Sequence, residues 1–412
     1  MKISIPTTLK ELAANLSAPI YMVGGFVRNS ILFGIQDDTD MDICGPLTPY
    51  EMVAELEGVA EIREVNPRIG TVLIKYKENF FEYTTFRQDS YPIGGQHRPQ
   101  EVTFVKSMAS DVKRRDFTVN AVYAEVLTGE VIDLVSGVDD MKNRLLRTVR
   151  SPLETFSEDG LRLLRLVRFA CELGFDIEEE TERGARESAT QLLDISGERK
   201  REEFRKILNS DFKYHISGKP SRGMKLLTKL NLWENLNFYQ PCLKEGAKKD
   251  SEFELLDKVP KNVRLEVFAI TLCEKETAKT IESVFGQDGF RHPKSVVKNL
   301  LAAVDFVRNP RDEQELMTFI SKNRNLVETF DELSEIYHMG WDIKSLHAEM
   351  VAKNLPFEVK ELGISDNDFI KFKVKNKERG KALDEILSET YRQKRNLTLD
   401  EKQKILMKHS EA

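Results

Sequence analysis

Cysteine is scarce in this 412-residue chain: Cys44, Cys171, Cys242 and Cys273 lie far apart, and none falls in a Cys-x-x-Cys pair. That spacing argues against a disulfide framework and a zinc knuckle and fits a reducing cytosol, so a cytoplasmic protein is expected. Long apolar runs are missing too. None can span a bilayer, and the start, Met-Lys-Ile-Ser-Ile-Pro, lacks the continuous apolar core of a signal peptide. No membrane partner is expected, and no segment points to a protein partner. Nor is there a surplus of positive charge. The formal net charge of −6 is not that of a protein that coats nucleic acid indiscriminately, although local basic patches remain compatible with RNA. One such patch is Lys371–Lys381 (KFKVKNKERGK), with six basic residues and one acidic; taken alone, such a run also fits a solvated helix end. Repeats and low-complexity tracts are absent. What is there is an ordinary soluble composition, 32% charged and 40% hydrophobic, long enough for two or three domains.

Strand and helix signals are unevenly distributed. Apolar or β-branched runs mark strands at 20–23, 41–44, 71–76, 80–85, 102–105 and 121–126, with a helix at 26–33. Tyr91–Pro99 (YPIGGQHRP) is a Gly- and Pro-rich loop. After Ser151-Pro152 strand signals nearly vanish, and helical spacing of apolar residues recurs at 158–173, 197–208, 221–232, 263–273, 293–307, 313–320 and 381–391. The chain therefore reads as an α/β head followed by an all-helical body, with a weak break near 286–292.

The densest chemical signal is Tyr21-Met-Val-Gly-Gly-Phe-Val-Arg28 followed by Asp40-Met-Asp42. On an extended strand, residues i and i+2 share a face, so Asp40 and Asp42 can grip one hard cation or a close pair. Gly24 and Gly25 leave backbone N–H groups open to a phosphate. Each motif alone also fits an ordinary turn. Glu82 is the one acid in the strand-like run Phe80–Arg87, either a third carboxylate for the same ions or a surface acid on an edge strand. In Asp111-Val-Lys-Arg-Arg-Asp-Phe-Thr-Val-Asn120, Arg115 can take a triphosphate oxygen bidentately, and Asp116 and Asn120 can meet ribose hydroxyls.

Glu158-Asp-Gly-Leu-Arg162-Leu-Leu-Arg165-Leu-Val-Arg168 reads as a helix on which Glu158, Asp159 and Arg162 share a face, with Arg165 and Arg168 continuing at steps of three. Charge periodicity alone fits a salt-bridged surface helix. The pair also suits base recognition. A carboxylate accepts from an exocyclic amine while a guanidinium donates to a ring nitrogen or carbonyl. Cytosine and adenine present an amine beside an acceptor; uracil and guanine present a carbonyl beside an N–H. An Asp–Arg pair can thus accept C and A and reject U and G, each bidentate contact being worth about 1–3 kcal/mol.

In this order, Gly-Gly-x-x-Arg, Asp-x-Asp, Thr-Phe-Arg, Arg-Arg-Asp-Phe-Thr-x-Asn-Ala and Glu-Asp-x-x-Arg-x-x-Arg-x-x-Arg-Phe-Ala resemble the class II tRNA nucleotidyltransferase and bacterial poly(A) polymerase family over roughly residues 20–235. Gly197-Glu-Arg199, Glu203, Ile207-Leu208 and Pro220-Ser-Arg-Gly223 look like its neck and early body. Residues 355–395 look like the tRNA-binding tail of its CCA-adding members, through Leu362-Gly-Ile-Ser-Asp-Asn-Asp368 and Gly380-Lys-Ala-Leu383. The resemblance implies an α+β chain: a polymerase beta-like nucleotidyltransferase head with a mixed sheet (1–150), then a helical neck (151–215), body (216–330) and tail (331–412). It implies two magnesium ions on Asp40 and Asp42 with support from Glu82. Gly25, Arg28 and Arg115 would hold the triphosphate; Asp159 and Arg162 would read the base; Arg165 and Arg168 would position base and phosphate. The implied reaction adds CCA to tRNA 3′ ends from CTP and ATP. A 3′-hydroxyl attacks the α-phosphate and pyrophosphate leaves.

Arg199, Lys200, Arg201, Lys371, Lys373 and Lys375 are candidates for RNA backbone contact. In this family the segment Asp89–Arg98 decides between full and partial addition. Two positions depart from the pattern: Asn29 stands where Asp is usual, and Gly160 where Pro is common. The chain lacks a His-Asp dipeptide, so the phosphohydrolase module of some relatives is not expected. The competing functions are a poly(A) polymerase, a partial enzyme adding only CC or only A, and, in another class, an inactive RNA-binding protein on the same fold. A small-molecule nucleotidyltransferase would not need the ~250-residue helical body.

Overall fold

The computed structural model describes residues 1–34, 41–90, 101–214, 218–236, 252–272 and 277–410. They fall into two units, Met1–Asp257 with Gln287–Arg291, and Lys258–Gly286 with His292–Ala412.

In the first unit, the strands β1 (Tyr21–Val23), β2 (Asp42–Gly45), β3 (Glu61–Asn66), β4 (Thr71–Tyr76), β5 (Asn79–Thr85), β8 (Tyr123–Glu125) and β9 (Val131–Ile132) form one sheet, in the order β3-β4-β5-β2-β1-β8-β9. Only β2 and β5 pair in parallel, so the sheet is mixed. A separate hairpin joins β6 (Arg87–Ser90) to β7 (Glu101–Phe104). Alternation explains the central strands: Val72 and Ile74 of β4 and Phe81 and Tyr83 of β5 are fully buried between outward neighbours. β3 escaped the sequence pattern because it is an edge strand with little buried on either face. β6 carries only polar side chains and was invisible to the same test.

Beneath β1, β2 and β8, Val23, Cys44, Phe86, Val112, Ala121 and Tyr123 form a buried cluster. It supports the strand ends that carry the candidate site.

The stretch expected as one helix from Glu158 to Leu173 is two helices, Pro152–Glu158 and Leu161–Leu173. Asp159 is extended (φ −146°, ψ 102°), which ends the first helix. Glu158 and Asp159 therefore do not share a helical face with Arg162, as the spacing had suggested. The remainder of the unit is helical, including Glu179–Glu187, Gly197–Leu208 and Pro220–Lys229, apart from a two-residue parallel pairing of Leu145–Leu146 with Asp176–Ile177.

In the second unit the described residues are helical, with only an isolated bridge between Val374 and Ser410. Helices Lys294–Arg308, Glu313–Lys322 and Val327–Ile336 meet around the rings of Phe306, Phe319 and Phe330, whose centroids lie 4.7–6.2 Å apart. Helix Asn376–Gln393 is anchored by the buried Tyr391 hydroxyl, which donates to the Pro356 carbonyl at 2.6 Å. Among the described residues, no helix is long and apolar enough to cross a membrane.

Candidate active site

The site starts at the ends of β1 and β2. Gly24 has φ +79°, a conformation that favours glycine, and caps helix Gly25–Phe33. A Cβ placed on Gly24 would come within 3.7 Å of Asp42 Oδ2, so the turn lies against that carboxylate. The first N–H groups of the helix, free of intrahelical acceptors, open there, Gly25 first among them. Asp42 opens β2 and stands directly opposite Glu82 on the parallel β5. Residues in register on neighbouring strands share a face, and both are exposed. Asp40 lies outside the described residues, and among those described no third His, Cys, Asp or Glu completes a metal-binding group. The two carboxylates supply the hard oxygen donors that magnesium takes.

Asp111 is the hub behind this face. It is fully buried. Its Oδ1 accepts from Arg114 Nε at 2.8 Å and from the Arg87 backbone N–H at 3.2 Å. Its Oδ2 accepts from Arg115 Nη2 at 3.0 Å and from the Tyr123 hydroxyl at 2.8 Å. Burial alone would raise its pKa, but Arg115 and Arg114 outweigh burial and hold it below the usual carboxylate value. Arg115 also lies over the Tyr123 ring, with Nη2 3.9 Å from the Cys44 sulfur on β2. It thus stands beside the strand that carries Asp42.

A second chain of contacts links three sequence motifs. Arg28 donates to Asn120 Oδ1, Asn120 Nδ2 to Asp116 Oδ1 at 3.4 Å, and Arg165 Nε to Asp116 Oδ2 at 2.7 Å. Arg28 is 2% exposed. It lies near the rings of Phe169 and Tyr214, donates to the Tyr214 hydroxyl at 2.7 Å, and is braced by Asn29 Oδ1. Arg168 is likewise enclosed, 4.3 Å from the Phe169 ring centroid and 3.1 Å from Glu203. Glu172 stands 3.8 Å from Arg168 and burial raises its pKa. Arg28 and Arg168, expected at the nucleotide, therefore direct these bonds to protein groups. Asp116 would be raised by burial, but Arg165, with Arg162 and the Phe117 N–H, pulls it down to about 2.

The helix break shapes the third part. Asp159 Oδ1 accepts from the Leu161 N–H at 3.1 Å, starting the second helix, and Oδ2 accepts from Arg199 Nη2 at 2.9 Å. Arg162, 7% exposed, donates to the Thr155 carbonyl and Glu158 Oε2, both at 2.9 Å, and to the Arg114 carbonyl at 2.7 Å. The last bond ties Arg162 to the turn that carries Arg115. Gly160 fits for a packing reason: a Cβ there would lie 2.3 Å from the Gln191 carbonyl oxygen. This close approach leaves no room for the ring of the proline common in relatives.

Two family models match, a poly A polymerase head domain over residues 20–147 and a probable RNA and SrmB-binding site of polymerase A over 174–244. A CCA-adding enzyme of Streptococcus thermophilus is 32% identical over 340 residues, 82% of this chain and 75% of that one. The chain belongs to the CCA-adding enzyme family. A CCA-adding enzyme of Lactobacillus helveticus is 43% identical over 189 residues, so there the chain spans just 45% of its relative's length. The crystal structure of Bacillus stearothermophilus CCA-adding enzyme in complex with CTP matches with a TM-score of 0.71 at 25% identity, covering 97% of this chain and 96% of that one. The expected fold class, a nucleotidyltransferase-type head on a mixed sheet with a mostly helical remainder, is the observed one.

One expected RNA contact is misplaced. Lys200 is 1% exposed in the packed face of helix Gly197–Leu208, and burial lowers its pKa to about 8. It cannot present its ammonium to RNA from there. Arg199 is exposed but paired with Asp159. Asp111, Tyr123, Tyr214, Phe169 and Glu203 were missed as members of the site. Asp111 left a trace through its i,i+3 and i,i+4 spacing to Arg114 and Arg115, and Phe169 and Glu203 stand within motifs quoted for the family resemblance without a site role; Tyr123 and Tyr214 left none.

Two outcomes follow from this geometry. Gly160→Ala will cost about 1–3 kcal/mol in denaturant unfolding, because the methyl group overpacks against Gln191. Asp116 has a depressed folded-state pKa, so its contribution is present above the unfolded value and lost as pH falls through the folded one. It amounts to about 2 kcal/mol at neutral pH, disappearing between about pH 4 and pH 2. Urea midpoints of Asp116→Asn will show a correspondingly flatter acid limb than those of the parent.

Proposed function

We propose that the chain adds CCA to tRNA 3′ ends from CTP and ATP. The observation that carries this reading is the 2.7 Å bond from Arg162 to the Arg114 carbonyl. Through it, Arg162, the guanidinium half of a base-reading pair suited to C and A, joins the segment whose next residue, Arg115, reaches the Asp42 strand. The CTP complex of the Bacillus stearothermophilus relative supports the nucleotide class.

In this mechanism Asp42 and Glu82, with Asp40, would hold divalent ions that lower the pKa of the attacking hydroxyl and stabilise charge on the departing pyrophosphate. Gly25 and the helix start behind it would receive phosphate oxygens, and Arg115, fixed by Asp111, would take another. Asp159 would accept from the exocyclic amine of C or A once Arg199 yields the carboxylate. Arg162 would donate from Nε and its remaining Nη2 hydrogen, which no described protein group occupies. Asp116 and Asn120 would face the ribose, while Arg165 would position the nucleotide and Arg28 and Arg168 brace the wall behind it. The RNA 3′-hydroxyl attacks the α-phosphorus, a phosphodiester forms, and pyrophosphate departs. Exposed Lys371, Lys373 and Lys375 on the tail, residues 331–412, would meet tRNA phosphates. The scattered cysteines, none in a Cys-x-x-Cys pair, suit a cytoplasmic site of action for this reading.

The deciding experiment supplies tRNAs ending at the discriminator base, at C and at CC, with each nucleotide separately, and sequences the products. Ordered addition of C, C and A is expected. Addition of A to every end would identify a poly(A) polymerase, and arrest after CC a partial enzyme. Asp42→Ala will reduce transfer to background while tRNA binding persists. Asp159→Ala will lower the preference for CTP over UTP by about tenfold before it abolishes chemistry.

A further inference from the structure

Apart from the Asp42 face, a cavity of about 300 Å³ lies between the β6–β7 hairpin, the Lys113–Arg114 turn and Arg150 with Glu158. Every lining side chain is polar or charged, Thr103 and Ser110 among them, so the cavity suits a charged or hydrated group rather than a base. Its two acids are already compensated: Glu158 by Arg150 and Arg162, and Asp89 by Arg87 at 3.0 Å. What remains uncommitted among the described residues is cationic. Lys113 Nζ has no ion pair, and Arg114 is held only through Nε, which leaves both Nη groups for a ligand.

The turn is rigidly built. Arg150 Nε donates to the Lys113 carbonyl at 2.6 Å, Arg162 Nη2 to the Arg114 carbonyl at 2.7 Å, and Asp111 fixes Arg114 from behind. The two arginines diverge from Asp111. Arg115 runs to Tyr123 and Cys44 beside Asp42, whereas Arg114 lines the cavity.

We propose that this cavity binds a phosphodiester group of the RNA strand through Lys113 and Arg114. The proposal rests on the RNA nucleotidyltransferase reading. An incoming triphosphate belongs on the Arg115 side, next to the carboxylates. The cavity instead adjoins Glu158, the neighbour of Asp159. The RNA nucleotide stacked on the incoming base would bring its phosphate there.

The test uses the full chain, with Lys113→Glu, Lys113→Met and the charge-conserving Lys113→Arg. Lys113 is exposed, so unchanged melting temperatures are expected. Filter binding of a tRNA transcript ending in CC, without nucleotide, is measured from about 50 to 200 mM KCl. Calorimetry with CTP and with inorganic pyrophosphate runs in parallel. Lys113→Glu is expected to weaken tRNA binding about tenfold. Lys113→Met should reduce the salt slope by about 0.7, and Lys113→Arg should restore both. CTP and pyrophosphate affinities should stay within about twofold of the parent. Unchanged tRNA affinity and salt slope would overturn the proposal. So would loss of pyrophosphate affinity with tRNA binding intact, since that would assign the cavity to a free polyphosphate. Because this measurement needs no catalysis, a chain that fails to transfer nucleotides yet loses tRNA affinity in Lys113→Glu would sink only the transferase reading.

Discussion

A single buried carboxylate organises the face of the candidate site. Asp111 has no access to water, and an isolated ion there would be severely destabilised. Two guanidiniums, a phenol and a backbone N–H surround it instead. The same contacts that compensate its charge also aim the arginines. Arg115 cannot swing from β2 without weakening its bond to Asp111, and Arg114 is held in the same way. The cost of burying the carboxylate thus becomes a source of preorganisation, because long, flexible side chains arrive at the site with little freedom left to lose.

The wall between the head strands and helix Leu161–Leu173 follows the same logic. Beside the Phe117–Phe169 ring contact it carries a polar chain through Arg28, Asn120, Asp116 and Arg165, backed by Arg168, Glu203 and Glu172. Such networks add little net stability over a well-packed apolar core, yet they penalise wrong geometries, since each misplaced member strands a buried charge. On the proposed function, where base, ribose and phosphates would be held at once, that penalty on misalignment matters more than raw stability. Asn29 fits the scheme: its neutral oxygen braces Arg28 without adding another buried charge.

Much of the head was legible from residue patterns. The alternation of Thr71–Tyr76 and Phe80–Thr85 placed two central strands because their neighbours bury one face. The Glu158–Leu173 stretch was misread as one helix because its charge spacing continues across Asp159, while the break depends on the Asp159 side chain capping Leu161 and on Gln191 pressing against Gly160. Lys200 was misread because a basic triplet looks solvated in one dimension. Only the packing of helix Gly197–Leu208 shows which of the three faces inward.

The amino-acid order alone determined which chemistry is present: a carboxylate pair two residues apart, a Gly-Gly turn, and an acid–arginine pair able to distinguish bases. These are local matters, set by side-chain type and by the short repeat of strand or helix. Only the tertiary structure decided which arginines face the site and which are spent on the protein's own carboxylates. A guanidinium's role depends on the partners within about 3 Å of it, and decisive ones, Tyr214 for Arg28 and Glu203 for Arg168, come from segments 186 and 35 residues away.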